Sequence, residues 1–537
     1  ERMNAFCDVL VVGSGPAGLA AAKTAADIGA RVMLADLDPV MGGSAKWSDE
    51  TIDGTPAAHW ASEAVAALAT RDNVRLLPRT TVWGYYDNNT LGAMERVTDH
   101  KASARKGEPR HRHWAIRAGK VVLATGAFER PLVFAGNDRP GVLLASAAQR
   151  YVNEFGVLPG EKIAVFTNCD SAYGAAQALH AAGARITAII DVRTSASEDA
   201  RRIAAAVGGE HLLGHAVVET EGGKTVTGIK VQPFDPVARR TSGHARHLDA
   251  DSLIVSGGWS PVVHLASQAG AVPRWDEALQ AFLPAEPSQP WIGAGAFNGH
   301  LDTATAISDG ATAGGASVSD DDAPAIGNAA PASAPAAVFE IPGKGKAFVD
   351  YQHDVTAEDV RLAHREGFVS VEHLKRYTTL GMATDQGKTS NVPGLAIMAD
   401  AAGKSIAATG TTRFRPPFAP VSIGSLAAER FGEIRPDRLT PMHDWHVAHG
   451  ATMFAAGLWH RPQIYGKPGE NIEQAYVREA RAVRADAGIV DVSTLGKIAV
   501  QGPDAAELLD RVYTNLFSTL PVGKARYGLM LREEGIA

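Results

Sequence analysis

The sequence has few cysteines and no long apolar run. Only two cysteines, Cys7 and Cys169, occur among 537 residues, and they lie far apart along the chain. This excludes a disulfide framework, a thiolate metal site and a CxxC redox pair of the kind that disulfide reductases use, and it fits a reducing compartment. No segment approaches the roughly 20 consecutive apolar residues of a transmembrane helix. We therefore predict a cytoplasmic protein with no membrane span.

The sequence also lacks an excess of positive charge. Lysine and arginine total 52 against 59 aspartates and glutamates, which gives a net charge of −7. This balance provides no basic field for nucleic acid, and we expect the basic stretch at residues 101–113 to be a solvated loop or strand edge. Apolar residues make up 45% of the chain, so most of it should fold. The length predicts about three or four domains.

A glycine-rich turn follows the first predicted strand. The apolar residues 8–12 lead into the sequence GSGPAG, which opens an alanine-rich helical stretch. In this order Gly13 permits a tight turn, Gly15 lets the backbone approach a pyrophosphate, and Gly18 lets the helix pack closely on the strand. The N-terminus of the helix then directs N–H groups at the phosphates. The pattern predicts a Rossmann-type dinucleotide site.

An acidic residue ends the second predicted strand. Asp36 follows residues 31–35 at about the spacing where a carboxylate binds the adenosine ribose hydroxyls and disfavours a 2′-phosphate. Further along, Gly42-Gly43 and the ATG motif at residues 124–126 resemble stretches of FAD-dependent reductases that lie around the cofactor. The residues that we assign to this dinucleotide site are Gly13, Gly15, Pro16, Ala17, Gly18, Asp36, Gly43, Ser44, Thr125, Gly126 and Gly295.

A second βαβ pattern begins at residues 162–166 and closes at residues 186–191. Its turn, residues 167–172, lacks the glycines that admit a phosphate, so we expect this unit to be present as a fold but weak or silent as a nicotinamide site. In flavoprotein reductases the last motif of the series carries a Gly-Asp whose carboxylate binds the ribityl chain of FAD. Residues 293–295 read Gly-Ala-Gly here. NAD and FAD therefore remain alternative occupants of the first site, with NAD favoured.

An alanine- and proline-rich stretch precedes a small domain. Residues 314–337 have the composition of an interdomain linker. The two stretches that follow, residues 348–360 and 371–392, resemble the small domain that binds a two-iron cluster in related amine and proline dehydrogenase subunits. The four cluster thiolates would fall at Asp350, Gln352, Asp385 and Ser390, and none of these residues is a cysteine. We therefore expect the scaffold without its cluster, a helix capped by Thr356 and Asp359, and no metal.

Cations and hydroxyl groups recur in residues 375–379 and 386–390. This combination suits an isolated phosphate, but a solvated helix face would use similar residues. The sequence alone leaves both interpretations open.

Two blocks, residues 373–399 and 410–427, are similar to the α subunit of heterotetrameric sarcosine oxidase. The order of GSGPAG, VVLATGAFERP and VSGGWSPVVHL is shared with that family along essentially the whole chain. The resemblance implies a multisubunit enzyme that oxidises sarcosine to glycine with O2, giving H2O2 and either formaldehyde or 5,10-methylenetetrahydrofolate. It also implies NAD on this chain, FMN at the interface with a β subunit that carries FAD and the sarcosine site, and γ and δ subunits as further partners.

The family resemblance suggests where an FMN phosphate would bind. The candidate residues are Lys375, Arg376, Lys388, Thr389, Ser390, Arg413 and Arg415. Amine oxidation itself would take place on the partner, so no catalytic residue is assigned to this chain.

The last segment, residues 480–515, resembles the start of the folate-binding aminomethyltransferase of the glycine cleavage system. We expect this domain to be truncated before its catalytic aspartate, and the small domain that precedes the Rossmann unit in the family to be missing. The predicted fold is α/β, with a Rossmann-type FAD/NAD(P)-binding two-dinucleotide-domain region, a small helical cluster-domain relic and the start of an α+β aminomethyltransferase-like domain. The predicted boundaries are 1–315, with the second βαβ unit at about 160–255, a linker at 316–340, the small domain at 341–430 and the folate domain at 431–537.

Two alternatives remain. The chain could be an FAD-containing subunit of an opine or hydrogen-cyanide-forming dehydrogenase, although those relatives generally keep the cluster cysteines and lack a folate domain. It could also be a non-catalytic assembly subunit in which NAD is a structural ligand.

Overall fold

The computed structural model describes residues 1–318, 323–329, 331, 333–427 and 436–531. It divides into two compact units, Glu1–Glu429 and Arg430–Ala537. Within the described ranges, no helix combines the length and apolarity that crossing a lipid bilayer requires.

The first part of the larger unit is a twisted sheet flanked by helices. Strands β2, β1 and β8 pair in parallel, β5 continues the sheet beyond β2, and β7 and β6 add an antiparallel extension beyond β8. Its elements are β1 (Arg2–Val12), α1 (Pro16–Asp27), β2 (Val32–Ala35), β3 (Thr51–Ile52), β4 (Thr55–Pro56), α2 (Ala57–Ala69), β5 (Val74–Leu77), β6 (Thr80–Tyr86), β7 (Thr90–Arg96), β8 (His111–Leu123) and β9 (Ala127–Glu129).

Local sequence explains the first βαβ unit. Residues 9–12 of β1 are buried, as expected for a strand covered on both faces. Helix α1 begins with Pro16, whose fixed φ suits a first helical position, and continues with alanines that pack on the sheet. Residues 101–110, predicted as a solvated loop, form the exposed connection between β7 and β8.

A second parallel sheet follows, in the order β10-β18-β11-β12-β13. An antiparallel group, β14 with β15, β16 and β17, branches from it, and β9 pairs with β19 to connect the two sheets. The elements are β10 (Val142–Leu144), α3 (Ala145–Phe155), β11 (Lys162–Thr167), α4 (Ser171–Ala181), β12 (Arg185–Asp191), α5 (Glu198–Val207), β13 (Glu210–Leu213), β14 (His215–Glu221), β15 (Gly228–Asp235), β16 (Arg240–Thr241), β17 (Arg246–Asp249), β18 (Ser252–Ser256) and β19 (Trp259–Pro261).

The chain then returns to the first sheet and enters a small helical region. Strand β22 pairs with β8, and helix α7 packs against α1. The elements are α6 (His264–Gln268), β20 (Arg274–Asp276), β21 (Ala281–Leu283), β22 (Trp291–Gly293), α7 (Thr303–Gly314), β23 (Ile326–Gly327), β24 (Phe348–Asp350), β25 (Val355–Thr356), α8 (Ala357–Arg365), α9 (Val371–Thr378), α10 (Asn391–Ala402), α11 (Ile406–Thr409) and α12 (Ile423–Ala427).

Two expectations about this region have different outcomes. The N-terminus of helix α8 is capped by the predicted capping box, in which the side chains of Thr356 and Asp359 each accept the other's backbone N–H. The end of the predicted linker packs on the larger unit. Val338, within residues 316–340, and Ile341, just beyond them, are each 1% exposed and belong to the core of the second sheet. The reason is that a few apolar side chains within a polar, alanine-rich stretch suffice to dock it on an existing core.

The smaller unit holds a short three-stranded sheet and helices. Strand β28 pairs with β27 in antiparallel and with β26 in parallel fashion. The elements are β26 (Arg438–Leu439), α13 (His443–Ala448), β27 (Ala451–Ala456), β28 (Trp459–Tyr465), α14 (Ile472–Ala485) and α15 (Ala505–Val512).

Candidate functional site

The carboxyl ends of β1 and β8 meet where the strand order of the first sheet reverses. Strand β1 lies between β2 and β8 and is parallel to both. Ligands of open α/β sheets bind outside the strand ends at such a switch point. Helix α1 begins there with Gly15 as its N-cap, which provides no side-chain acceptor. The first N–H groups of the helix are therefore suited to an anionic ligand.

The glycines of GSGPAG divide into packing glycines and an open one. A Cβ at Gly13 would lie 2.2 Å from the Ala124 carbonyl oxygen, and a Cβ at Gly18 would lie 1.9 Å from the Gly13 carbonyl oxygen. A Cβ at Gly15 would meet only the Cα of Gly43, at 4.0 Å, and a Cβ at Gly126 would meet nothing within 4 Å. The space above Gly15 and Gly126 is therefore open, and it fits a pyrophosphate that approaches the backbone closely.

Asp36 lies beside this turn and is already held in place. The backbone N–H and the hydroxyl of Ser14 both donate to Oδ2 of Asp36, at 2.7 and 2.6 Å. The other carboxylate oxygen accepts the N–H of Asp38 at 2.8 Å. Because a carboxylate oxygen has two lone pairs, these contacts orient the side chain and leave acceptor capacity for ribose hydroxyls.

The loop after β2 closes one side of the crevice. A Cβ at Gly43 would lie 2.5 Å from the Cα of Gly15, so the two backbones pack directly together. Ser44 is exposed in the 3-10 turn Gly43–Lys46. The sequence did not single out Lys46, which forms ion pairs with Asp38 at 2.7 Å and Glu154 at 3.6 Å. Because these two acids lie 8 and 108 residues away in the sequence, no local motif indicates the ion pairs of Lys46.

Thr125 and Gly295 are held in place by contacts with other segments of the larger unit. The Thr125 hydroxyl donates to the Val262 carbonyl oxygen at 2.9 Å. Gly295 has φ +67°, and a Cβ there would lie 2.7 Å from the Cβ of Ala17. The Gly295 N–H donates to Oδ2 of Asp309 at 2.8 Å. Asp309, on α7, is a second residue that the sequence analysis missed, and it fixes the loop where the Gly-Asp of flavoprotein reductases would stand.

The turn of the second βαβ unit is closed. Asn168 and Asp170 are fully buried and Cys169 is 3% exposed, whereas Gly13 and Gly15 remain partly accessible. The side-chain amide of Asn168 donates to the carbonyl oxygens of Ala336 and Val338, at 3.0 and 3.2 Å. Protein atoms thus occupy the place of a phosphate.

Part of the predicted FMN group lies around the acidic residue Glu372. The Arg376 guanidinium donates to Oε2 of Glu372 at 2.9 Å, and the Arg413 N–H donates to Oε1 at 3.3 Å. Burial lowers the pKa of the Lys375 ammonium. Glu372 opposes this shift, and the neighbouring charges of Arg415 and Arg376 add to it. Lys375, Arg376 and Arg415 with the carboxylate of Glu372 leave a net positive cluster that fits a phosphate.

Other members of the predicted FMN group have their contacts elsewhere. Lys388 donates to the carbonyl oxygens of Asp385 at 2.8 Å and Phe418 at 3.1 Å, and its Nζ lies 4.0 Å from the centroid of the Phe418 ring. Ser390 is 1% exposed, with its hydroxyl 3.4 Å from Asp350. Thr389 is half-buried in the same turn. The contacts of Lys388 and Ser390 are thus internal, so these side chains are the least available for a phosphate.

Three of the four expected cluster positions, Asp350, Gln352 and Ser390, come together. Asp350 is 1% exposed and accepts hydrogen bonds from the N–H groups of Gly381 at 2.8 Å, Gln352 at 3.0 Å and His353 at 3.1 Å, besides the Ser390 contact. A carboxylate held by backbone donors now fills the place of a thiolate, and an iron–sulfur cluster does not fit this donor set. In the part of the chain that the structure describes, no group of three or more His, Cys, Asp or Glu residues is arranged to hold a metal ion.

The smaller unit contains a buried polar group that the sequence did not predict. His446 is 4% exposed, and its Nε2 lies 2.9 Å from Oδ2 of Asp491 while its Nδ1 contacts the Tyr465 hydroxyl at 2.5 Å. The Ser493 hydroxyl, and then His446, lower the pKa of the Asp491 carboxyl. The partners are too distant in sequence for any spacing rule to connect them.

Three family models match successive parts of the chain. They are pyridine nucleotide-disulphide oxidoreductase over residues 7–280, the sarcosine oxidase A3 domain over residues 344–430 and the GCVT N-terminal domain over residues 442–537. The first model covers about half of the chain and the crevice residues from Gly13 to Gly126, whereas Gly295 and Asp309 lie beyond it. The chain belongs to the pyridine nucleotide-disulphide oxidoreductase family.

More particular relatives match over the whole length of the chain. It is 44% identical to sarcosine oxidase subunit alpha of Rhizobium meliloti (strain 1021), aligning with 54% of that protein's length. It is also 44% identical to sarcosine oxidase subunit alpha of Corynebacterium sp. (strain U-96), aligning with 57% of that length. The resemblance to the sarcosine oxidase α subunit predicted from the sequence is confirmed. The chain spans a little over half the length of these relatives.

A solved structure supports the fold. L-proline dehydrogenase from P. horikoshii superposes with a TM-score of 0.61 at 21% identity, covering 80% of this chain and 81% of that one. The predicted α/β fold with two dinucleotide-type units is confirmed.

Proposed function

We propose that the chain is the α subunit of a multisubunit sarcosine oxidase. The complete enzyme would convert sarcosine, O2 and water into glycine, formaldehyde and H2O2, or pass the one-carbon unit to tetrahydrofolate as 5,10-methylenetetrahydrofolate. The proposal is supported by full-length similarity to named sarcosine oxidase α subunits and by the order of the three family models. The sarcosine site and FAD would lie on a β subunit, with γ and δ subunits completing the complex.

The first crevice is the proposed NAD site. The observation that carries this assignment is the open space above Gly15 and Gly126, beside an Asp36 that Ser14 already orients. The N-terminus of α1 would bind the pyrophosphate, and Asp36 would accept the adenosine ribose hydroxyls. NAD is favoured over FAD because residues 293–295 carry no carboxylate for a ribityl chain. FAD in this site, as in an opine dehydrogenase subunit, is the competing assignment.

NAD in this chain would serve as a structural ligand. A nicotinamide that turned over would need a second site for its redox partner, and the turn of the second βαβ unit is filled by the chain itself. The role of the chain would then be to hold cofactors in position and to support the electron transfer that they carry out.

FMN is proposed to bind at the interface with the β subunit, with its phosphate against Lys375, Arg376, Arg413 and Arg415. Lys375 and Arg376 lie beside Glu372, which the backbone N–H of Arg413 also contacts, and three of the four cations are exposed. FMN supplies electron transfer when bound, whereas this chain supplies charge and position. The last domain would begin the tetrahydrofolate site, as its GCVT match suggests.

Release and mass identification of bound ligands would test the dinucleotide assignment. The chain would be purified alone and with its partner subunits, denatured, and its ligands identified. We expect NAD from the chain alone and FMN only when the partner is present. FAD from the chain alone would contradict the proposal and favour the opine dehydrogenase alternative.

Charge removal would test the FMN assignment separately. Lys375→Ala with Arg376→Ala should reduce the FMN content of the assembled enzyme at least about tenfold and leave its FAD content unchanged, since only the FMN phosphate loses charge-assisted hydrogen bonds. Lys404→Ala removes an exposed lysine from the loop after α10 and should leave flavin content unchanged. Full flavin content in the double variant would exclude this cluster as the phosphate site.

A further inference from the structure

The second βαβ unit has the topology of a dinucleotide site. Strand β11 lies between β12 and β18 and is parallel to both, so the carboxyl ends of β11 and β18 form a switch point like that of the first sheet. A ligand would bind above residues 167–171, against the N-terminus of α4, with its ribose at the acid that ends β12. That acid is Asp191.

Segment 333–341 of the same chain lies in this position. The Ala336 N–H donates to the Asn168 carbonyl oxygen at 2.9 Å, and the Asn168 amide donates back to Ala336 and Val338. Further along, the Ile341 N–H donates to the Val133 carbonyl oxygen at 2.8 Å. Backbone hydrogen bonds therefore hold the segment in its middle, at Ala336, and at its C-terminal end, at Ile341.

The segment and one neighbouring arginine satisfy the groups that a nucleotide would use. The Asp170 N–H, at the start of α4, donates to the Ser333 hydroxyl at 3.2 Å, where a phosphate oxygen would be expected. The Arg193 guanidinium donates to both oxygens of Asp191, at 3.0 and 2.6 Å, where ribose hydroxyls would be expected, and to Ser333 at 2.7 Å.

The acidic residues around the second crevice are buried without a ligand. Asp170 and Asp191 are fully buried, and Arg193 pairs with both of them. Two carboxylates with one guanidinium leave a net negative charge, which disfavours a phosphate in this place. Phe339 also packs against a buried charge: Cζ of the Arg130 guanidinium lies 5.7 Å from the centroid of the Phe339 ring. By contrast, nothing in the first crevice comes within 4 Å of a Cβ placed on Gly126.

We propose that segment 333–341 is the permanent occupant of the second dinucleotide crevice, so that the chain binds one dinucleotide only. The former ligand site has become the docking site of the chain segment that leads to the small helical region. This conclusion holds whether the first site takes NAD or FAD.

Hydrogen exchange measured by mass spectrometry on the assembled enzyme would test the proposal. Exchange would be compared after dinucleotide removal and after addition of excess NADH or NADPH. Peptides covering residues 167–172 and 333–341 should be protected in every state and unchanged by either dinucleotide. Slower exchange there on addition of NADH or NADPH, or two bound dinucleotides per chain, would overturn the proposal. Slower exchange confined to residues 13–18 would support both NAD binding in the first crevice and the occupation of the second crevice by segment 333–341. If exchange changed in no peptide, only the assignment of NAD to the first crevice would be contradicted.

A variant provides a second test. Asn168→Ala removes the side-chain donor to Ala336 and Val338. It should speed exchange in residues 333–341 at least about tenfold, because the loss of one or two hydrogen bonds lowers the free energy of local opening. Gln232→Ala, on β15 with an exposed contact to Gly243, is the matched control and should leave these peptides unchanged. If the variant folds and its exchange is unchanged, docking of the segment through Asn168 is contradicted. If the variant does not fold, the wild-type measurement alone decides whether segment 333–341 occupies the second crevice.

Discussion

Ser14 donates two hydrogen bonds to a single oxygen of Asp36, one from its backbone and one from its hydroxyl, at 2.7 and 2.6 Å. The glycine-rich turn and the acid at the end of β2 are thus joined before any ligand binds. A carboxylate fixed in this way loses little conformational entropy when it accepts ribose hydroxyls.

Removal of this carboxylate should weaken dinucleotide binding. Asp36→Ala leaves the Ser14 donors and the ribose hydroxyls without an acceptor, which corresponds to about 1.5–3 kcal/mol, or about a 10- to 100-fold loss of affinity. Isothermal titration of the dinucleotide-free chain with NAD would measure the effect. Asp27→Asn, at the far end of α1, should bind NAD as the wild type does. Equal affinities for Asp36→Ala and wild type would place the nucleotide elsewhere.

Gly15 and Gly18 should respond differently to the same substitution. Gly15→Ala adds a methyl group to open space, so the stability of the dinucleotide-free chain should change by no more than about 0.5 kcal/mol while NAD affinity falls at least about tenfold. Gly18→Ala places a Cβ 1.9 Å from the Gly13 carbonyl oxygen and should destabilise the chain by about 3 kcal/mol. Denaturation and titration of both variants would distinguish the roles. A loss of stability in Gly15→Ala as large as in Gly18→Ala would mean that both glycines serve packing alone.

The features that sequence could predict are those encoded over short distances. The strand, glycine turn and helix around Gly13, the acid at Asp36 and the capping box of α8 each depend on residues within one βα connection or one helix turn. Contacts between remote segments could not be predicted. Asp309 binds Gly295 across a loop, and His446 binds Asp491 from a different element, so no local periodicity connects either pair.

Composition alone did not reveal where the end of the linker packs. An Ala- and Pro-rich stretch buries too little surface to fold by itself, which is why residues 314–337 were predicted to be an interdomain linker. Part of this docking comes from the side-chain amide of Asn168, which donates to the carbonyl oxygens of Ala336 and Val338. Backbone groups of Asn168 and Val133 supply further hydrogen bonds. The turn that lacks the glycines of a phosphate site thus also supplies a docking contact.

Asp350 should be a stability determinant of the small helical region. Asp350→Ala leaves the buried N–H of Gly381 and the Ser390 hydroxyl without their acceptor, and we expect a loss of about 3 kcal/mol in the free energy of unfolding. Chemical denaturation would measure the loss. Asp354→Asn, four residues away and exposed, should cost less than about 0.5 kcal/mol. An equally small loss for Asp350→Ala would show that Asp350 does not stabilise the small helical region.

His264 should make stability depend on pH. Its ring is 7% exposed and stacks on Phe418 with 4.0 Å between ring centroids, and burial, assisted by the charge of Lys388, lowers its pKa from 6.5 to about 3. The folded state therefore binds the proton more weakly than the unfolded state does. The stabilising effect is complete above pH 6.5 and is lost as the pH falls toward 3.

Between pH 7 and pH 5 the wild type should lose about 2 kcal/mol more stability than His264→Gln, because the neutral amide cannot be protonated and one pKa unit corresponds to about 1.4 kcal/mol. Urea denaturation at both pH values would measure the difference. His100→Gln, in the exposed connection before β8, should follow the wild-type pH dependence. Parallel losses in wild type and His264→Gln would mean that the ring accepts a proton in the folded state, and that the contact between α6 and the Phe418 loop opens at low cost.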